Sequence, residues 1–273
     1  MTARAFFMPG EAGQRYCVLH SPLPGQPVRG LVLHLPAFAE EMNKSRRLVA
    51  LQARALAQAG YAVLILDLLG CGDSSGDHGD AHWAAWLDDA RRAAAWLRAE
   101  VAPQGAPLWL WGLRSGGLLA CALAAELDAG VLLWQPVASG KQFFQQFLRL
   151  KMAGELLGGD AKGVIDGLRQ ALARNESIEV AGYAVAPALA QGLEAAELLP
   201  PAPGKPALWL EVSGQAEPKL SPVAQTRIER WRSAGVVLEA RVVAGPSFWQ
   251  TTEITDCPAL IETTLQLLAA CAA

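Results

Sequence analysis

The chain lacks the charge and the long apolar runs that would mark a nucleic-acid-binding or membrane-spanning protein. Only 18% of its 273 residues are charged, and the formal net charge of −3 offers no basic surface for nucleic acid. No apolar stretch approaches the roughly 18 residues of a membrane span. The first residues, MTARAFFMPGEAG, have no positively charged start followed by a long apolar run, as a signal peptide would. We therefore expect a cytoplasmic protein with no nucleic-acid partner and no transmembrane segment.

Cysteine is also scarce. The five cysteines are scattered and form no CxxC pair, so neither a disulfide framework nor a zinc site is expected. Hydrophobic residues, in contrast, make up 52% of the chain, which excludes disorder and provides enough apolar surface for a buried sheet. A chain of this length commonly forms one α/β domain.

Short apolar runs typical of buried strands alternate with segments of helical spacing. Gly30–Leu35 and Pro107–Trp111 are two such runs. This alternation favours parallel strands with right-handed crossovers and helices on both faces. The alternation of strands and helices stops at residues 138–200, where the pattern is helical throughout. This segment is therefore predicted to form a helical cap. The predicted fold class is therefore α/β, with a mainly parallel, doubly wound sheet built from residues 1–137 and 201–273.

The segment WGLRSGG follows a buried strand and precedes an apolar helix. A serine on such a turn is typical of a nucleophile elbow, where the helix N-terminus favours developing negative charge. We predict Ser115 as a nucleophile, the N–H of Gly116 as an oxyanion donor, and Arg114 as a pocket residue. The motif G-x-S-x-G requires a small residue at the position of Leu113, so a serine that only caps the helix is the alternative.

The second oxyanion donor should come from the loop PAFAEEMNKSRR, which follows the strand at residues 30–35. Its first proline has no N–H, so Ala37 or Phe38 would donate, and we assign Phe38. Ligands of open α/β folds bind at this edge of the sheet. We therefore expect Glu40, Glu41 and Asn43 to line the pocket together with Ala37. The alternative is a solvated loop that only leads into the next helix.

The acid and the base of a catalytic triad would follow the last two strands. Glu217 lies in the loop VSGQAEPKLSP, where a triad acid would be, although an exposed carboxylate is an equal alternative. The base loop, AGPSFWQTTE, contains no histidine, and Ser247 occupies the expected position. Phe248 and Trp249 in the same loop are predicted to line the pocket. The triad is therefore incomplete by sequence.

All four histidines precede Ser115 in the chain. His78 and His82 lie four residues apart beside several aspartates, so they could supply a base from an unusual place or hold a metal. More often, a run of this kind is a solvated loop that caps the next helix. We therefore predict no metal and no cofactor.

Taken together, the order of elements, the WGLRSGG turn and the segment DLLGCGDSSG resemble the α/β-hydrolase superfamily. More narrowly, PAFAEEMNKSRR, LDLLGCGDSSGD, WGLRSGG and GPSFWQTTE resemble the exosortase A system-associated hydrolases of type 2. These proteins occur in bacteria alongside exosortase and exopolysaccharide genes. The resemblance implies a hydrolase, and it implies that the FAEEMN and GPSFW loops are family features, so the missing histidine is how the group is built.

We therefore predict a hydrolase of an ester or thioester, from a small-molecule or lipid-like substrate such as a lipid or glycan precursor. Ser115 would be the nucleophile and Glu217 the acid, and the base is unassigned. One alternative is a catalytically inactive binding protein of the same fold. In another, the carboxylates of the FAEEMN segment carry out general acid–base catalysis without a covalent intermediate. The sequence predicts neither the oligomeric state nor a protein partner.

Overall fold

The computed structural model describes residues 2–102, 104–154 and 161–271. Its centre is an eight-stranded sheet, accompanied by a separate two-stranded hairpin. The strands of the sheet are β1 (Thr2–Pro9), β2 (Gln14–Ser21), β3 (Gly30–Leu35), β4 (Tyr61–Leu66), β5 (Leu108–Leu113), β6 (Gly130–Trp134), β9 (Pro206–Ser213) and β10 (Val237–Ala244). The hairpin consists of β7 (Ile178–Val180) and β8 (Tyr183–Val185).

The helices connect these strands and cover both faces of the sheet. They are α1 (Glu40–Gln58), α2 (Trp83–Glu100), α3 (Gly116–Ala124), α4 (Gly140–Gly154), α5 (Ala161–Ala173), α6 (Pro187–Ala195), α7 (Pro222–Ser233) and α8 (Pro258–Cys271). A 3₁₀ turn at His78–Asp80 precedes α2. Among the described helices, none is both long and apolar enough to cross a membrane.

The strand order is β1-β2-β4-β3-β5-β6-β9-β10, and every pairing from β4 to β10 is parallel. Within the described part of this sheet, the pairings of β2 with β1 and with β4 are the antiparallel ones. Side chains of β3 and β5 are buried along their whole length, because helices pack on both faces. One core cluster contains α2 and α3, and the other contains α1 and α8. The prediction of a mainly parallel, doubly wound sheet is confirmed.

The segment between β6 and β9 contains α4, α5 and α6, together with the hairpin β7–β8. An isolated bridge between Ser139 and Glu197 joins the two ends of this segment where it leaves and re-enters the core. The sequence predicted helices here and no strand, so the hairpin is a correction. Its strands are three residues long, too short for a visible alternation, and they turn at Ala181 and Gly182, both with positive φ.

Candidate active site

The site begins at the turn between β5 and α3, at the carboxyl edge of the parallel strands. Strand β5 ends at Leu113, and α3 begins at Gly116. Between them, Arg114 has a φ of 54°, whereas Ser115 has a φ of −63° and already follows the helix. Positive φ is uncommon for a residue with a side chain and is typical of a strained turn that presents that side chain. The residue at the tip of the elbow is therefore Arg114.

Two glycines frame this position at equal distance. A Cβ atom added to Gly112 would lie 2.5 Å from the Cα of Gly117, and one added to Gly116 would overlap the carbonyl oxygen of Leu35. The chain thus reads Gly-x-Arg-x-Gly around residue 114. This differs by one residue from the sequence-based interpretation, which centred the elbow on Ser115. The equal spacing of the glycines was the signal that could have identified Arg114.

Gly116→Ala should destabilise the protein, because the new methyl group would overlap backbone atoms of residues 35 and 36, which cannot move aside as a flexible side chain would. Overpacking of this kind costs about 1–3 kcal/mol in the free energy of unfolding. Urea denaturation of the variant and of Gly167→Ala is the measurement, since a Cβ at Gly167 meets no atom within 4 Å. Equal stability of the two variants would contradict the close approach of the elbow to β3.

Ser115 is buried, with 4% of its surface exposed, and its side chain makes no capping hydrogen bond to α3. The alternative in which this serine only caps the helix is therefore not what the structure contains. Ser115 borders a small enclosed cavity whose walls are apolar and aromatic, among them Phe38, Trp86 and Leu193. Among the described residues, no histidine or carboxylate lines this cavity.

Arg114 is held by Glu41, a carboxylate of the FAEEMN segment that lies in the first turn of α1. Its Nη2 lies 3.1 Å from Oε1 of Glu41, and its Nε donates to the same oxygen at 3.2 Å. The Arg114 guanidinium also lies over the ring of Trp249, 5.3 Å from the centroid. Both charged side chains are mostly buried, at 13% and 18% exposure. Burial raises the pKa of Glu41, and the neighbouring guanidinium opposes that rise.

The rest of the FAEEMN loop divides between the core and the cap. Ala37 and Phe38 are buried near Ser115. Glu40 accepts a hydrogen bond from the Tyr183 hydroxyl at 3.1 Å, and the amide of Asn43 donates to the same hydroxyl at 2.9 Å. Burial and the bond to Glu40 raise the pKa of Tyr183 to about 12. Glu41 reaches the elbow, and its two polar neighbours tie α1 to the hairpin.

The two loops expected to carry the acid and the base differ in burial. Glu217 is solvent-exposed and pairs with Lys219 at 3.1 Å, so the structure does not bring it to the elbow. Ser247 is half-buried, whereas Phe248 and Trp249 are almost fully buried against the core. Of these residues, Trp249 is the one that contacts Arg114.

A buried carboxylate that sequence reasoning missed lies on β9. Glu211 is 7% exposed and accepts hydrogen bonds from the indole of Trp209 at 3.1 Å and from the N–H of Ser221 at 3.2 Å. It lines a cleft of about 190 Å³ between the strand ends and α4, together with Arg114 and Arg227. The charge inside the apolar run ALWLEV was the signal for it.

His78 and His82, which lie between β4 and α2, have structural partners. The Nδ1 atom of His82 accepts the N–H of Ala85 and caps α2. The Nδ1 atom of His78 bonds the carbonyl of Ala184 at 2.7 Å, and its ring packs on Phe38. Burial lowers the pKa of His78, and the hydrogen bond to the carbonyl of Ala184 opposes that shift. Within the described part of the chain, no cluster of ligating side chains could hold a metal.

Residues 26–159 match the family described as serine aminopeptidase, S33. No curated protein matches the chain in sequence. Among solved structures, Est1E from Butyrivibrio proteoclasticus superposes with a TM-score of 0.67 at 14% identity, over 97% of this chain and 98% of that one. A soluble variant of monoglyceride lipase from Saccharomyces cerevisiae superposes with a TM-score of 0.65 at 14% identity, over 100% and 95%.

A third similar structure is XC6422 from Xanthomonas campestris, described as an α/β serine hydrolase without a lid. It superposes with a TM-score of 0.53 at 18% identity, over 99% of this chain and 91% of that one. Identities this low establish a common architecture and leave the chemistry of the elbow to be argued from its own residues.

Proposed function

Since the chain has the α/β-hydrolase fold, as its sequence predicted, we propose that it hydrolyses an ester or thioester that carries an anionic group and that it forms no acyl-serine intermediate. The observation that carries this proposal is the position of Arg114 at the tip of the elbow, between Gly112 and Gly116. A guanidinium is no nucleophile, but it binds carboxylate and phosphate groups with paired hydrogen bonds.

Arg114 has the role of an anion receptor. It lines the cleft between the strand ends and α4, where a small-molecule or lipid-like substrate has access to it. An anionic group of the substrate would replace Glu41 on the guanidinium. Because burial already raises the pKa of Glu41, losing its cationic partner makes this carboxylate a stronger base.

In the proposed step, Glu41 accepts a proton from water while the water oxygen bonds to the carbonyl carbon of the substrate. The carbon–oxygen or carbon–sulfur bond then breaks, and the leaving alcohol or thiol takes the proton from Glu41. The N–H of Ser115, which directly follows the elbow residue, and the N–H groups of Gly116 and Phe38 would stabilise the oxyanion. Ser115 contributes its backbone and not its hydroxyl. Glu217, exposed and paired with Lys219, has no part in this step.

Binding without turnover is the second candidate, and a specific contact favours it. Arg114 and Glu41 bind each other, and Trp249 covers the guanidinium in the loop where a base histidine would otherwise be. A protein built this way would hold an anionic ligand and release it unchanged. A cytoplasmic location and a role beside exosortase and exopolysaccharide genes remain predictions from the four sequence segments that resemble that group.

Turnover of mono-p-nitrophenyl adipate, an ester with a free carboxylate, tests the proposal. Glu41→Gln should lower kcat/KM by about 10²-fold or more, the contribution of a general base. Ser115→Ala should change it less than about twofold, and the wild type should label poorly with a fluorophosphonate probe. Glu40→Gln is the matched control, since Glu40 bonds Tyr183 rather than the elbow.

Fast fluorophosphonate labelling that Ser115→Ala abolishes would overturn the proposal, and so would full turnover by Glu41→Gln. Tight binding of the probe ester with no turnover would select the second candidate. Ser247→His adds a further test. If residue 247 marks the vacant base position but the elbow carries no nucleophile, this variant should gain no labelling.

A further inference from the structure

A second cavity lies on the other side of the sheet from α2, between α1 and strands β2, β3 and β4. Its volume is about 360 Å³, at the lower end of the range for small-molecule sites. It is lined by Val18, Met42, Val49 and Ile65, among others, and it does not include Arg114. The cavity shares no lining residue with the cleft that contains Arg114, although it shares Pro36 and Ala37 with the small cavity beside Ser115.

Two histidines line this mostly apolar space. His34, on β3, is 3% exposed, and His20, on β2, is 3% exposed. The ring of His34 packs edge-on against Trp111, with centroids 4.6 Å apart. Among the described residues, neither ring nitrogen of His34 has a hydrogen-bond partner. The Nδ1 atom of His20 has no partner there either. A buried polar group without a partner is unfavourable, so a ligand that supplies a hydrogen-bond partner binds more tightly.

The charges of the side chains that line the cavity limit the kind of ligand that it can bind. Burial, and next the Arg46 guanidinium, lower the pKa of His34 to about 3, so the imidazole is neutral and offers one donor and one acceptor. Arg46 pairs with Asp67 at 3.0 Å, and Arg54 and Asp73 also line the cavity, so the two positive and two negative side chains sum to no net charge. The interior therefore favours an uncharged ligand.

We propose that this cavity binds a compact neutral molecule with an apolar body and a hydroxyl group, a phenol or an alcohol. The apolar body lies against Val18, Val49 and Ile65, and the hydroxyl bonds His34. A hydroxyl both donates and accepts, so it matches a neutral imidazole whichever ring nitrogen carries the proton. This site goes beyond the proposed hydrolysis and depends on none of its residues.

A matched pair of probes tests the site: 4-ethylphenol and 4-ethyltoluene, which replaces the hydroxyl by a methyl group. The wild type should bind the phenol at least about tenfold more tightly, because a site with a buried polar group discriminates against the ligand that leaves it unpaired. Isothermal titration gives the two affinities. In NMR spectra, the imidazole signals of His34 should shift with the phenol, while those of His82, which caps α2, should not.

Two variants distinguish the contribution of the hydrogen bond to binding from that of the cavity volume. His34→Leu should abolish the preference for the phenol over the hydrocarbon. Ala50→Leu, which adds volume to the cavity wall, should weaken both probes about tenfold or more, whereas Ala55→Leu, on the same helix but outside the cavity lining, should not. Equal affinity for the two probes in the wild type, absence of binding at millimolar concentration, or unchanged binding in a folded Ala50→Leu would each overturn the proposal.

Discussion

Asp89→Asn should lower the free energy of unfolding by about 3–5 kcal/mol, the cost of leaving one member of a buried ion pair without its partner. Asp89 on α2 binds Arg15 on β2, with 2.7 Å between Oδ2 and Nε, and both side chains are almost fully buried. The same carboxylate accepts the N–H of Leu69, which fixes the loop after β4. Asparagine would leave a buried guanidinium uncompensated. Urea denaturation should show a lower midpoint with an unchanged slope.

The control is the neighbouring carboxylate. Asp88 pairs with Arg92 on the exposed face of α2, so Asp88→Asn should cost only about 0.5 kcal/mol or less. The double variant Arg15→Met, Asp89→Leu should recover much of the loss, because it leaves no charge unpaired. A cost for Asp89→Asn no larger than that for Asp88→Asn would contradict the buried pairing of β2 with α2.

The sheet could be predicted because its strands are buried on both faces. Gly30–Leu35 is an uninterrupted apolar run apart from His34, and the structure has β3 with the same bounds. Apolar runs of this kind need no alternation to be recognised, since helices cover both sides. The hairpin β7–β8 was missed because three-residue strands carry too little pattern, and its stability depends on contacts with other elements of the chain.

The elbow was predicted at the correct strand-to-helix turn, but its tip was placed one residue too late, at Ser115 instead of Arg114. The serine was taken as the elbow residue because two glycines follow it directly in the sequence. Which residue occupies the tip depends on where φ turns positive and on which glycine lies against β3, and both are properties of the folded backbone. Those properties select Arg114.

The burial of the carboxylates at the end of β9 could not be predicted for a similar reason. Glu211 lies inside the apolar run that forms β9, whereas Glu217 lies in the loop that follows it, and the two differ in burial. Glu217 lies in an exposed loop with Lys219, whereas Glu211 is inside the cleft with its two hydrogen-bond donors. Sequence spacing gives the order of residues along a loop but not the direction in which the loop leaves the sheet.

Arg114→Met should remove the preference of the cleft for an anionic ligand. Hydrogen bonds to charged groups contribute about 1.5–3 kcal/mol, which corresponds to roughly 10- to 150-fold in affinity. Methionine keeps an apolar side chain of similar length but has no charge to offer a carboxylate. The matched control is Arg92→Met, on the exposed face of α2, which removes the same charge from a residue that does not line the cleft.

The measurement is isothermal titration with monomethyl adipate, which carries one ester and one carboxylate, and with dimethyl adipate, which carries two esters and no charge. If Arg114 is an anion receptor at the tip of the elbow, the wild type and Arg92→Met should bind the monoester at least about tenfold more tightly than the diester, and Arg114→Met should bind the two alike. A folded Arg114→Met protein that retains the wild-type preference for the monoester would contradict the account.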